Sequence, residues 1–597
     1  MQPASKRRRR MVRTVRTVQV LGVLATVSLG GHVATPPAAA GPGVPPPAEK
    51  AVNELKEAVR RFGQRGGAVS AHDPFSDHAN RLVYLDQGWG PAETLWYYHA
   101  DQGSMLLPRD VLVNLEQPGS QSRIIDPVNL ARFRFLNQQK TPNNPDALPV
   151  GFARHQDHIG LTCAACHTGQ IVYRGTAVRI DGAPALIDMI GFFRQIEQAL
   201  DQTLRDDGKL ARFVATSGKD QAAARALLGE SQRWFADYNR ANSSTTVEGY
   251  GRLDAVGRII NQVIRMTSDA KNSLEPNAPN SFPLLWDAPR HDYVQWGGFS
   301  ANAGAGALGR NAGEVIGTYG RVEVKNYKTE AEAKAGYRSS IEGLALVAME
   351  ESLRTLKSPR WPQDILPPID KALASRGETL YKQHCQTCHA PIKPDDPHRK
   401  VVAYIAGIDV VGTDPQSVKN LSTARAPTGI LQGAISPKGE HYGAEASVLA
   451  LLGDLVRRSL SAQAPAGVAA LASAKLHGMN ETPKQGNFTP STPQNPTAAL
   501  LSYKARPLNG IWAASPYLHN GSVPTLYDLL RPATARPKRF AVGRWQYDPK
   551  KVGYLSEGDV PWVYDTEKTG NHNSGHEYGT ALSEDERWAL LEYLKTL

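Results

Sequence analysis

The four cysteines of this 597-residue chain stand in two pentapeptides, Cys163-Ala164-Ala165-Cys166-His167 and Cys385-Gln386-Thr387-Cys388-His389. In a C-x-x-C-H pattern the thiols lie one helical turn apart. There they can add to the two vinyl groups of one porphyrin, and the adjacent imidazole then meets the iron. A redox dithiol or half of a zinc site would account for one such motif. Two motifs that consume every cysteine argue instead for two covalently attached c-type haems, because a structural zinc needs four ligands drawn together. His167 and His389 are then the iron ligands supplied by the motifs. No cysteine remains for a structural disulfide.

The group on the opposite face of each iron separates electron transfer from chemistry. A methionine or histidine there closes the iron, whereas an empty position admits hydrogen peroxide or dioxygen. Donors near the first motif are few. No histidine lies between His167 and His291, and the methionines of that interval are Met189 and Met266, with His155 and His158 close upstream. This scarcity predicts a first iron without a strong second protein ligand, and therefore the reactive one. Around the second motif His398, His441, His477, Met479, His519, His572 and His576 all compete.

Nearly 600 residues, 41% hydrophobic and 21% charged, predict two or more units with real cores. The formal charge of +11 is mostly local. Lys6, Arg7, Arg8, Arg9, Arg10, Arg13 and Arg16 sit in a first segment without acids, and the remainder is close to balanced, so charge gives no support to nucleic-acid binding. That basic block, an apolar run from about Val18 to Gly30 and the small residues Ala38, Ala39 and Ala40 read as a secretory signal. The apolar run is shorter than the roughly 20 residues that span a bilayer, an uncleaved anchor being the alternative. The mature chain is expected to be periplasmic or secreted, without a stable membrane span. Export agrees with covalent haem attachment, which is completed outside the cytoplasm.

The expected architecture is mainly α with extensive loops, built as two cytochrome c-like haem domains around a large inter-haem insertion. Residues 1–40 form the signal, 41–80 a linker and a helix from Lys50, 81–366 the first haem domain with a helical insertion, and 367–597 the second. Gly90-Pro91-Ala92-Glu93 opens a helix whose Leu95-Trp96-Tyr97-Tyr98-His99 reads as packing. Long loops follow to Gly160, then a helical block from about Leu186 to Ile264. The Gly/Ala/Asn-rich stretch 297–313 and the Pro/Thr/Asn-rich stretch 460–500 are expected as loops. Pro367-Pro368 marks the boundary. Asp370 can cap the helix leading into Cys385, and Ser583 with Glu586 forms a capping box for a last helix with Trp588, Leu591 and Leu594 on its apolar face.

Beyond the haem motifs, Asn509-Gly510-Ile511-Trp512-Ala513-Ala514-Ser515-Pro516-Tyr517-Leu518-His519-Asn520-Gly521-Ser522 is similar to the P-Y-x-H-x-G stretch of the bacterial dihaem cytochrome c peroxidase superfamily. The chain more closely resembles the branch containing the large dihaem rubber oxygenases, over most of residues 80–597. The resemblance implies a haem-dependent oxidoreductase. In ordinary dihaem peroxidases a methionine about fourteen positions after the P-Y-x-H histidine ligates the electron-accepting haem. Here Leu530-Arg531-Pro532-Ala533-Thr534 offers none. The rubber-oxygenase branch uses a histidine near the C-terminus instead, and His576 in Gly575-His576-Glu577-Tyr578 takes that position, with His519 left as a structural histidine.

The switchable distal histidine of ordinary peroxidases is missing as well. By the same resemblance Trp286 either relays electrons between the haems or is a core tryptophan. The distal phenylalanine of rubber-cleaving members would fall near Ala301, where Phe299 is the nearest aromatic. Ile259 and Ile260 are candidates for the pocket wall. The leading expectation is peroxidase-type reduction of hydrogen peroxide with electrons from a small donor protein, a cytochrome or a cupredoxin. A dioxygenase acting on an unsaturated hydrophobic substrate such as polyisoprene is the alternative, and an electron-transfer cytochrome without a substrate site is the third.

Overall fold

Helix caps that are visible in the sequence organise the helices that surround both motifs. A computed structural model describes residues 65–69, 73–558, 560 and 562–597, so the expected signal and the helix from Lys50 lie outside the described residues. In the helix Pro91–His99 the Gly90 N–H donates to Glu93 Oε2 (3.0 Å). We label six further helices, α1 (Ala255–Thr267), α2 (Gly306–Gly317), α3 (Gly343–Leu353), α4 (Lys371–His384), α5 (Val448–Ser461) and α6 (Glu584–Leu594). Asp254 caps α1 by accepting from the Gly257 N–H (2.8 Å). Asp370 caps α4 by accepting from the Ala372 and Leu373 N–H groups (2.9 and 3.0 Å). Ser583 and Glu586 form the capping box of α6.

The mainly α expectation is corrected to a mixed fold, 38% helical and 15% strand. Nineteen short strands among the described residues, two to six residues long, accompany eighteen α-helices. Much of what composition marks as loop is stitched into small ladders, because buried backbone must pair its N–H and C=O groups. The expected loops before Gly160 contain the antiparallel pair Phe152–His155 and His158–Leu161. Directly after the first motif, Thr168–Tyr173 and Thr176–Asp181 form a hairpin, with Arg81–Tyr84 parallel to its second strand. Its two-residue turn puts Arg174 and Gly175 at positive φ, the geometry that matches strand twist.

Two expected loops are also corrected. The helix α2 begins inside the 297–313 stretch, burying Leu308, Ala312, Val315 and Ile316 at helical spacing. The helix Ala464–Leu476 lies inside 460–500, with Pro465 tolerated in its first turn. The helical block expected over 186–264 appears as Met189–Arg205, Asp207–Ser217, Gln221–Ala241 and most of α1.

Residues Glu57–Leu597 form one compact unit. Its largest apolar cluster draws on both sides of Pro367-Pro368, joining Tyr97, Ile171 and Trp286 to Tyr381, Trp512 and Leu590. No helix among the described residues is long and apolar enough to cross a membrane. The helices α4 and α6 cross closely, with the Tyr381 and Tyr593 rings 5.1 Å apart. Gly377 is where the backbones meet, since a Cβ added there would overlap the Ala589 carbonyl. Gly377→Ala should therefore lower stability by about 1–3 kcal/mol, the usual cost of overpacking. A thermal melt indistinguishable from wild type would show that this crossing has slack.

Candidate functional site

The two motifs meet different surroundings. Thr162 caps the single helical turn Cys163–Cys166, and Ala164 and Ala165 between the thiols are buried. Burial pushes the Cys163 thiol up to about 12 and raises Cys166 as well. His167 donates from Nδ1 to the Pro283 carbonyl (2.7 Å), which fixes the tautomer that leaves Nε2 bare. Burial lowers its pKa to about 4, with the Pro283 carbonyl opposing, so the ring is neutral. The backbone carbonyl of His167 accepts from Tyr97 Oη (2.8 Å) and from the Gly182 N–H (2.9 Å).

Cys163, Cys166 and His167 line a cavity of about 540 Å³. The helices α1, α2 and α5 supply a largely apolar wall that includes Ile259, Ile260, Leu452 and Val456, and Phe299 and Trp296 also face it. Ile259 and Ile260 thus stand where the sequence suggested, while Ala301 is not among the lining residues. Among the described residues Glu314 is the one carboxylate lining the cavity. Its Oε1 accepts from Gln295 Nε2 (2.7 Å), with the Arg310 guanidinium 3.9 Å away, and its second oxygen carries no hydrogen bond. Arg310 is held in turn by Glu350 (2.8 Å) and Asn302 (2.7 Å). Burial raises the Glu314 carboxyl above the ordinary carboxylate range, against the pull of Arg310.

A second set of lining residues is basic. Lys504 spends its backbone N–H on the Trp296 carbonyl (2.7 Å) while its side chain lines the cavity, Arg506 leaves Nε unpartnered and His291 leaves Nδ1 unpartnered. Lys504 and Arg506 are two apart at the end of the strand Ser502–Ala505, and so share a face. Burial, with Arg506 and Arg310 adding to it, lowers Lys504 to about 7. The cavity fits a c-type haem. It offers two thiols, an imidazole with a bare nitrogen, apolar walls, and orphaned cationic donors for the porphyrin's two carboxylates.

Of the donors that could meet an iron from the other side, Met189 and His291 line the cavity. His155 is turned to Asp101 (2.9 Å) and His158 to Asp157 (2.7 Å), and neither lines it. Met266 packs instead against the apolar cluster around Ile260 and Val315.

At the second motif the residues between the cysteines, Gln386 and Thr387, are exposed. Burial pushes Cys385 up to about 11. His389 donates from Nδ1 to the Arg506 carbonyl (2.6 Å), and its own carbonyl accepts from Tyr381 Oη. His576 is brought to it, the ring centres being 6.1 Å apart. Two imidazoles on opposite sides of one metal, each with a bond of about 2 Å, place their ring centres roughly 6 Å apart. Burial lowers His576 to about 3, with His389 and Arg536 adding to it, so it too is neutral. His519 stacks on Tyr503 at 4.0 Å.

Trp286 is fully buried and lies outside the cavity wall, donating from Nε1 to the Asn509 carbonyl (2.8 Å). Reading the sequence missed Glu314, Gln295, Arg310, Lys504 and Arg506. None stands in a local motif, and only long-range packing assembles them.

Residues 502–541 match the family model described as RoxA-like, cytochrome c-like. The matched segment includes the stretch 509–522 and agrees with the rubber-oxygenase-like branch of the resemblance. An uncharacterised protein of Sinorhizobium fredii (strain NBRC 101917 / NGR234), y4iJ, is 32% identical over 594 residues, covering 87% of this chain and 94% of that protein. A second from the same strain, y4iM, is 28% identical over 357 residues, covering 55% of this chain and 67% of that protein.

The cavity wall depends on one buried ion pair. Arg258 of α1 holds Glu248 through two bonds, at 2.7 and 2.8 Å. Glu248→Ala strands that charge in the interior and should cost about 3–5 kcal/mol, read as a lower denaturant midpoint. Replacing both partners, Glu248→Ala with Arg258→Met, should recover much of the loss. A single variant as stable as wild type would mean that water reaches the pair.

Proposed function

Because this chain belongs to the family of y4iJ and carries a RoxA-like, cytochrome c-like segment implying covalently bound c-type haem, we propose that it is a haem oxidoreductase of peroxidase type. In this reading it holds two haems and reduces hydrogen peroxide in the cavity beside His167. The observation that carries it is Glu314, a half-buried carboxylate, the one among the described residues that faces the cavity lined by both thiols of a haem-attachment motif. Haem at the two motifs supplies the redox chemistry. The chain's residues supply ligation, orientation and proton transfer.

His167 and His389 bind through Nε2 because their Nδ1 protons are committed to carbonyls. With haem at the second motif, His389 and His576 would both hold it, and a site closed in this way would serve as an electron carrier. Reduction of one peroxide to two waters consumes two electrons and two protons. With haem held at the first motif, the second oxygen of Glu314 would accept one proton from hydrogen peroxide and return it to the departing water, the two protons for the second water coming from solvent and the two electrons from the donor. Gln295 holds the carboxylate in place during both transfers, and the Arg310–Glu350 pair fixes its surroundings. The apolar wall keeps bulk water from competing. Electrons come from a small donor protein, a cytochrome or a cupredoxin, in the periplasm or outside the cell, where haem attachment is completed.

The dioxygenase reading has its own support. Ile259, Ile260, Val418, Leu421, Leu452 and Val456 give the cavity a long apolar side, which suits an unsaturated hydrocarbon better than peroxide. Oxygen-dependent formation of carbonyl products from polyisoprene, with slow peroxide turnover, would select it.

Spin-resonance and electronic spectra of the purified protein should show one high-spin and one low-spin haem. His576→Ala should convert the low-spin signal to high-spin. Glu314→Gln should retain both haems and lower peroxide turnover by about 10²-fold or more, the range for positioned acid–base groups. Since burial raises the Glu314 carboxyl, protonation disables it as a base already above ordinary carboxylate pH, and wild-type rates should fall as pH drops through that titration. The groups facing it are Arg310, Glu350 and Gln295. Two low-spin haems that peroxide leaves unperturbed would reduce the function to electron transfer.

A further inference from the structure

The histidines of the two motifs, 222 positions apart in the chain, are joined by one side chain. His167 Nδ1 rests on the Pro283 carbonyl and His389 Nδ1 on the Arg506 carbonyl. The guanidinium of the same Arg506 reaches back to the first of these segments. It donates from Nη1 to the Leu284 carbonyl (2.9 Å) and from Nη2 to the Trp286 carbonyl (3.0 Å). Asn509, three residues on, closes the contact by accepting from Trp286 Nε1 (2.8 Å) and donating to Asp287 Oδ2 (2.8 Å). Residues 283–287 and 506–509 thus form one strap with a motif histidine at each side. Burial lowers the Arg506 guanidinium to about 10, with Asp287 opposing, so it stays charged at neutral pH.

We propose that Arg506 is the positioning residue for both iron-binding histidines at once, acting on His167 through the Leu284–Trp286 carbonyls and on His389 through its own carbonyl. The inference rests on the reading that both motifs carry haem. An imidazole whose Nδ1 proton is held by a fixed acceptor is the more basic ligand. Greater basicity favours oxidised iron and so lowers the potential. Two fork bonds from a planar guanidinium hold two carbonyls in one geometry. Lysine keeps the charge but offers no such fork.

The test uses the full-length protein loaded with haem, with haem number measured by mass and by pyridine haemochrome. Spectroelectrochemistry then reads both midpoint potentials. Arg506→Lys should shift both potentials upward and alter the low-spin resonance signal of the His389 site. Tyr381→Phe, which touches only the His389 carbonyl, should shift one. If Arg506→Lys moves one potential or neither with both haems attached, the proposal is overturned. If Arg506→Lys does not load haem, Asn509→Ala loosens the same strap with Arg506 intact, and it must move both potentials upward for the proposal to stand. A wild-type protein carrying fewer than two haems would sink the underlying reading instead, and the mass measurement reports that separately.

Discussion

Each motif histidine gives its Nδ1 proton to a main-chain carbonyl, and much of the surrounding structure exists to hold those two carbonyls still. A buried peptide group must be paired, and leaving one unpaired costs free energy comparable to a lost hydrogen bond. The strap meets that demand with side chains from distant parts of the chain. Arg506 and Asn509 pair with 284–287, and Arg399 closes onto Asp287 (2.7 Å). Asp287 is held with φ of 64°, a conformation uncommon outside glycine, so the local backbone depends on these partners. Tyrosine hydroxyls from Tyr97 and Tyr381 fix the histidine carbonyls from the other side. The same arrangement is built twice from unrelated local sequences.

Around this frame most of the charge in and around the cavity wall is paired. Arg258 of α1 pairs with Glu248, Arg310 of α2 pairs with Glu350 of α3, and Arg458 with Asp454 (2.7 Å) locks α5 internally. Each pair places a charged group in the interior without leaving it uncompensated. The exceptions are Lys504, Arg506 and Glu314, which face the cavity with capacity to spare. Under the proposed function the two basic residues would meet the porphyrin carboxylates, and Glu314 would carry a proton.

Local signals were legible in the sequence wherever a few neighbouring residues carry the physics. The C-x-x-C-H motifs, the caps at Asp370 and Ser583, and the proline start at Pro91 each describe a single turn of chain. Composition misled where tertiary packing overrode it. The residues of α2 read as loop because glycine, alanine and asparagine are poor markers, yet Leu308, Ala312, Val315 and Ile316 give them one buried face. Tyr97 looked like packing and proved to hold the first motif as well. Arg506 and Glu314 could not be found from spacing, since their partners lie 220 or more and 19 residues away. His576 came from resemblance, and the geometry sets its ring against His389.

The asymmetry between the motifs, first suggested by which donors are scarce, has a physical counterpart in burial. Ala164 and Ala165 lie inside, where small apolar residues let the first motif sink against a cavity, while Gln386 and Thr387 keep the second at the surface. A small molecule can reach an interior site that a protein cannot. Under the proposed function a donor protein needs the opposite, a site whose edge lies near the outside, and that is where His389 and His576 stand together. Interior and surface placement thus run in the same sense as the division of labour proposed for the two motifs. The strap between 283–287 and 506–509 joins the two motif histidines through hydrogen bonds, so the positioning of both falls on the same few residues.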